Sequence, residues 1–226
     1  MIPKNIFFAY DDLDCIHEKL LENVEFVKKQ NPSYKVTIYS REMFIELLQK
    51  EKPDWLPYFN KLNPILGNLF ADYVRYVLLY LYGGVYLDIK SRPRIPIDDI
   101  INEDSELWIC WSPNKDIITS FMMVSKGSTF FKKVIDKFHS NVDMYHTLDL
   151  NINTPKINIL RLFSTLMLAD IAITDEFKDI ILPSRKWNKY GIFSIFNTTK
   201  KVFSVEHHKY YNKPHYSKVK EHLILN

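Results

Sequence analysis

The chain has 226 residues, with 30 Lys and Arg against 27 Asp and Glu, which gives a formal charge of +3 when its seven His are neutral. Its 46% hydrophobic and 15% aromatic content is enough for an ordinary core and excludes disorder, collagen-like repeats and disulfide-built miniproteins. The positive excess is spread along the chain, so a pI near 8.6 gives no support to nucleic-acid binding, while an acidic ligand held by a few placed cations stays open.

The N-terminus lacks a basic n-region, a long apolar run and a small-residue cleavage site, and no stretch reaches the roughly 18 to 20 apolar residues that span a bilayer. A soluble, cytoplasmic chain without a transmembrane segment is expected, with peripheral membrane association through Lys-rich surfaces left open. Ile6 to Tyr10 is a short apolar run, as in a buried first strand. Leu20, Leu21, Val24 and Val27 then recur at helical spacing up to Lys28-Lys29, and Asn31-Pro32-Ser33 is a turn. Lys35 to Tyr39 alternates as a strand, and Ser40 is placed to N-cap a helix carrying Met43, Phe44, Leu47 and Leu48. This β-α-β-α order predicts a mostly parallel sheet covered by helices, with ligand sites beyond the strands' C-terminal ends.

Further along, Leu107 to Trp111 and Ile118 to Val124 read as strands and Thr129 to His139 as a helix. Thr154-Pro155 starts a helix expected to run to about Ile171, and from Ile180 the chain is rich in Tyr, Lys and His. Cys15 and Cys110 fit neither metal nor redox spacing and are expected as buried structural thiols in a reducing compartment. No repeat or linker divides the chain, so residues 1–226 are expected as a single domain.

Residues 67–90 are the informative stretch: a helix, a glycine turn and a strand. Leu69, Phe70, Tyr73, Val74, Val77, Leu78 and Leu81 fall on one helix face, with Asn68, Asp72 and Arg75 opposite. Gly83-Gly84 ends the helix, and period 2 then sends Tyr86, Asp88 and Lys90 to one side of the strand and Val85, Leu87 and Ile89 to the other. An acid and a base leaving a core strand beside a glycine turn suit a polar, anionic ligand. The alternative is an ordinary surface pair, Asp72 with Arg75, and an ordinary helix cap.

The run Ala71-Asp72, Arg75, Leu79-Tyr80 and Tyr82-Gly83-Gly84-Val85-Tyr86-Leu87-Asp88 resembles the DXD-containing sugar-binding region of glycosyltransferase family 32, relatives of fungal α-1,6-mannosyltransferases and, distantly, of clostridial glucosylating toxins. Ile2-Pro3-Lys4 and Asn31-Pro32-Ser33-Tyr34 resemble the family's opening, so the likeness covers roughly the first 95 residues. It implies a GT-A type nucleotide-sugar-binding fold with residues 1–95 as the donor half and 96–226 as the acceptor-side half. It also implies a UDP- or GDP-sugar donor, transfer with retention to a glycan, lipid-linked sugar or protein acceptor, and no nucleic-acid partner. By position, Asp72 and Arg75 match the helix pair that binds the donor sugar and its phosphates, and Asp88 matches the first Asp of the motif. Gly83 and Gly84 would let the donor approach the backbone closely. Tyr10 would stack on the base or pack in the core.

The family's second Asp would ligate Mn2+ or Mg2+ through hard oxygen. Here Lys90 stands in its place, and an ammonium repels a divalent ion. Three accounts follow: Lys90 itself neutralises the leaving diphosphate; metal binds through Asp88 and C-terminal residues such as His207 or His208; or activity is lost and a nucleotide-sugar or glycan-binding module remains. Asn114 and Asp116 lie in a loop where acceptor-side groups could sit, and Trp108 and Trp111, three apart, face opposite sides of a strand.

Overall fold

The computed structural model describes residues 1–101, 106–150, 155–182, 193–194 and 223–225. β1 (Asn5–Ala9), α1 (Glu18–Gln30), β2 (Lys35–Tyr39) and α2 (Arg41–Glu51) follow the predicted β-α-β-α order, and the Ser40 hydroxyl caps α2 by accepting from the Met43 N–H at 3.2 Å. After α3 (Leu56–Asn60) come α4 (Gly67–Tyr82), β3 (Gly84–Leu87), β4 (Ser91–Arg92), β5 (Leu107–Trp108), β6 (Phe121–Val124) and α5 (Thr129–Met144). The helix expected from 154 to 171 is two, α6 (Pro155–Leu162) and α7 (Thr165–Ala172); Thr154, its expected cap, lies outside the described residues. β7 (Phe193–Ser194) pairs antiparallel with β4 in a two-stranded sheet.

The main sheet runs β2-β1-β3-β6-β5, with β2, β1 and β3 parallel, β6 reversed and β5 antiparallel to β6. This is the expected mostly parallel sheet, and helices flank it. Its alternating side chains feed two cores. Phe7, Tyr86, Met122 and Val124 pack under α2, α4, α5 and α7, while Ile6, Phe8, Val85, Leu87 and Met123 pack under α1. Trp108 joins the second core and Trp111 packs against the first, on opposite sides as the strand period requires. The two expected strands are shorter than predicted, because Cys110 and Trp111 form only isolated bridges, to Leu182 and Ile117. Cys110 is buried, but Cys15 is exposed in a short 3-10 turn whose Asp12 accepts from the Cys15 thiol at 3.1 Å, so it is not a core thiol.

β3 ends at Leu87, before the expected alternation does. The Ser91 N–H donates to the Asp88 carbonyl at 2.6 Å and closes a turn, which takes Ile89 into the second core and removes Lys90 from any shared strand face with Asp88. Sequence alternation continued through Ile89 because a buried apolar turn residue reads like a strand residue.

Candidate active site

α4 is buried almost all round. The apolar face read from the sequence is in the core, but Asp72 and Arg75, placed opposite it, are covered too, with side chains 5% and 6% exposed. They therefore do not form a solvated face. What covers them comes from later in the chain, the Thr119 strand entry and the junction between α6 and α7.

Arg75 joins the group. One Nη2 lies 3.1 Å from Asp72 Oδ1 and 3.3 Å from Asp88 Oδ1. Nη1 donates to the Thr119 carbonyl at 2.8 Å and Nε to the Ala71 carbonyl at 3.2 Å, while the guanidinium lies 4.6 Å from the centre of the Tyr86 ring. Such a fixed fork, with donors on several acceptors, is what arginine supplies and lysine does not. Asp88 is held from behind by this fork, by the Tyr86 hydroxyl, and by its own N–H donating to the Ser120 carbonyl at 2.9 Å. At 22% exposure, Asp88 is the group of the three that reaches the surface. It sits just past the C-terminal end of β3, where ligands of parallel sheets collect.

Burial would pull the Arg75 pKa down, but Tyr86, Asp72 and Asp88 around it hold it up, so it stays charged. Burial pushes the Asp72 carboxyl up to about 6 against the pull of Arg75 and of a hydrogen bond from Ser164, with Asp88 pushing the same way as burial. The folded-state value lies above the ordinary carboxylate range, so ionised Asp72 lowers stability progressively as pH rises from about 4 through about 6. A carboxylate kept ionised at such a disadvantage marks a candidate functional group.

Nothing in the sequence pattern marks Ser164 as a site residue. It is buried at the break between α6 and α7, and its side chain makes no helix cap because it bonds Asp72. The break is anchored at three successive residues: Asn141 Nδ2 donates to the Leu162 carbonyl at 2.6 Å, the Tyr76 hydroxyl donates to the Phe163 carbonyl at 3.1 Å, and Ser164 reaches Asp72. A Phe-Ser-Thr run with no Gly or Pro carries no breaker signal, so the only available hint was Ser164 as a potential N-cap.

Gly83 and Gly84 leave the site. Both have left-handed φ, +62° and +107°, and a Cβ at Gly83 would lie 2.5 Å from the Lys126 nitrogen, one at Gly84 2.6 Å from the Asn5 carbonyl oxygen. The close approach they permit joins the start of β3 to β1 and to residues 125–126, at the opposite end of β3 from Asp88. Tyr10 is buried in the second core, its hydroxyl 3.4 Å from the Cys15 carbonyl, and burial, with Cys15 and Asp12, pushes its pKa up to about 12; of its two sequence roles, packing is the one its placement supports. Asp116 accepts from the Ser112 hydroxyl and the Asn114 N–H donates to Ser112 Oγ at 3.1 Å, so these polar groups close their own hairpin loop. His207 and His208 lie outside the described residues.

Among the described residues, no group of three or more His, Cys, Asp or Glu converges as a metal site. Asp88 Oδ1 faces Arg75 at 3.3 Å, and Lys90 follows two residues on in the chain.

The fold is shared with the solved glycosyltransferase PaToxG at a TM-score of 0.56 and 18% identity, over 83% of this chain and 73% of that one, consistent with the GT-A type. Within it, residues 17–107 match the family described as glycosyltransferase sugar-binding region containing DXD motif, which confirms the resemblance on the stretch that holds Asp72, Arg75 and Asp88. The match begins after Ile2-Pro3-Lys4 and extends beyond residue 95. The chain is 25% identical over 116 residues to inositol phosphoceramide mannosyltransferase 3 of Schizosaccharomyces pombe, covering 51% of this chain and 32% of that protein. It is 31% identical over 101 residues to mannosyl phosphorylinositol ceramide synthase SUR1 of Saccharomyces cerevisiae, with 45% and 26% covered. It is 29% identical over 106 residues to the initiation-specific alpha-1,6-mannosyltransferase of Candida albicans, with 44% and 27% covered. The matches thus span no more than a third of these relatives' own lengths. No helix among the described residues is long and apolar enough to cross a membrane.

Proposed function

We propose that this chain is a retaining glycosyltransferase that moves a sugar, with mannose the first choice, from a nucleotide-sugar donor to a hydroxyl of a glycan or a lipid-borne polyol. The observation that carries the reading is the Arg75-bridged pair of carboxylates, Asp72 and Asp88, at the C-terminal edge of β3 inside the matched region. The preference for mannose and for polyol acceptors rests on the relatives' names.

In this reading Asp72, covered by Ser164 and ionised above about pH 6, holds the Arg75 guanidinium in place from behind. Arg75 orients both carboxylates, and Asp88 holds the ribose or diphosphate end of the donor. The acceptor oxygen bonds to the anomeric carbon as the bond from that carbon to the diphosphate oxygen breaks. The departing oxygen takes the acceptor's proton on the same face, and the products are glycosylated acceptor and nucleoside diphosphate. Lys90 stabilises the charge that develops on the leaving group, as a fixed cation near forming phosphate charge does.

A thermal-shift panel of UDP- and GDP-sugars, each with and without Mn2+, tests this, because a ligand at a hundred times its Kd adds about 2.7 kcal/mol to the folded state. One donor should raise the midpoint without help from Mn2+. No shift with any donor, under conditions where a known relative responds, contradicts the reading. The Lys at position 90 also favours a second reading, a binding module without turnover. Gain of Mn2+-dependent donor hydrolysis by Lys90→Asp over an inactive parent would support that module, and loss of activity in the same variant supports a working lysine.

A further inference from the structure

Asn23 is a fully buried polar side chain on α1, on the far side of the sheet from Asp72 and Arg75. Its Nδ2 donates to the Ile89 carbonyl at 2.9 Å and to the Ser91 carbonyl at 2.9 Å, and its Oδ1 accepts from Arg92 Nε at 2.8 Å. Both amide N–H groups and the carbonyl oxygen are thus used on one short segment. That segment is the turn closed by the Ser91 N–H on the Asp88 carbonyl, and Lys90 lies between the two carbonyls that Asn23 holds. The Arg92 guanidinium also stacks 4.1 Å over the Phe26 ring, one helical turn along α1. α1 is itself anchored by Leu20, Val24 and Val27 in the second core, where Ile89 is buried as well.

A hydrated chain would leave a four-residue turn after a strand free to sample several backbone shapes. Here the carbonyls on either side of Lys90 are bonded to a side chain that cannot leave its place without stranding both of them and releasing the Arg92 donor. We infer that Asn23 is the positioning residue for Lys90, fixing the backbone that carries its ammonium so that the charge stabilising the departing diphosphate is in place before the bond breaks. This rests on the transferase reading above. Electrostatic stabilisation is effective when the stabilising group needs no reorganisation during the reaction, and a side-chain clamp on both sides of the residue supplies that. Asn23 touches no reacting atom and acts only through the turn.

A double-mutant cycle on the full chain tests the assignment, read as kcat and KM for the donor that the wild type turns over, with circular dichroism confirming folding. Asn23→Ala should lower kcat about tenfold with KM changed less than about twofold, and in a Lys90→Ala background the same change should alter kcat less than about twofold. If Asn23→Ala does not fold, Asn23→Asp makes the same comparison, keeping the volume and the acceptor for Arg92 while removing both donors. Losses that multiply in the Lys90→Ala background, or that fall in KM alone, overturn the assignment and leave the transferase reading intact. A wild-type chain that turns over no donor overturns the transferase reading and this one with it.

Discussion

α4 carries two adjacent buried residues, Asp72 and Tyr73, into two polar regions of opposite character. Tyr73 directs its hydroxyl to His139 Nε2 at 2.7 Å, and the imidazole stacks on Tyr58 at 3.9 Å. Burial pushes the His139 pKa down to about 4 against the pull of Asp136, Asp143 and Asp54, so at neutral pH the Tyr73–His139 pair is hydrogen-bonded and uncharged. Asp72, one position away, keeps company with a charged Arg75 and with Asp88. The protein therefore has an inexpensive way to bury polar groups on this helix and does not use it at the cluster. Charges retained where neutral groups would pack as well need a reason other than folding, and a ligand is the one the placement of Asp88 offers.

Removing the arginine breaks that contrast most severely. Arg75→Ala should abolish transfer and also destabilise the fold by about 3 to 5 kcal/mol, because Asp72 is left as an uncompensated buried charge. A thermal melt beside a turnover assay checks both effects. An unchanged midpoint would show that the cluster is solvated, as the helical pattern alone suggested. Asp88→Asn separates chemistry from folding: at 22% side-chain exposure it should keep its midpoint within a few degrees while kcat/KM falls a hundredfold or more, of order 3 kcal/mol.

On the neutral side the effects should be smaller and confined to stability. His139→Phe should cost about 1 to 2 kcal/mol by leaving the Tyr73 hydroxyl with the long 3.5 Å bond to the Trp55 carbonyl in place of its 2.7 Å partner, with kcat within about twofold. The folded pKa of His139 lies below its ordinary value near 6.5, so its contribution is present above pH 6.5 and is lost as pH falls through about 4. That slope, followed by urea melts between pH 7 and 4, should flatten in the variant. Ser164→Ala should act most mildly, lowering kcat/KM about threefold to tenfold, in line with about 1 kcal/mol for one lost hydrogen bond. Losing that bond should also move the acidic limb of the pH–rate profile upward from about pH 6, since Ser164 favours ionised Asp72.

The elements nearest the N-terminus were legible because local signals agree there: β-branched alternation at Lys35 to Tyr39, the Ser40 cap, and the glycine pair after α4. The positions of Asp72, Arg75 and Asp88 were legible too, from helix and strand spacing joined to the family resemblance. Their burial was not. A helical wheel shows which residues oppose the apolar face but not that Thr119 and Ser164, roughly 45 and 90 residues later, close over them. Asn23 was equally silent, because a single Asn on a helix reads as a surface residue until the turn it holds is folded beneath it. The glycines mislead for the same reason: sequence shows that a close approach is needed at Gly83 and Gly84, and only the fold shows that the approaching group is β1 and residues 125–126.

The most direct test of the account is nucleoside diphosphate release from the donor panel by the wild-type chain and by Asp88→Asn, run side by side at pH 7.5 on samples shown to be equally folded. The account predicts release from one donor by the wild type and release reduced a hundredfold or more in the variant. Equal release from both would contradict it, because Asp88 would then be a surface carboxylate and the charged cluster behind it would have no part in the chemistry.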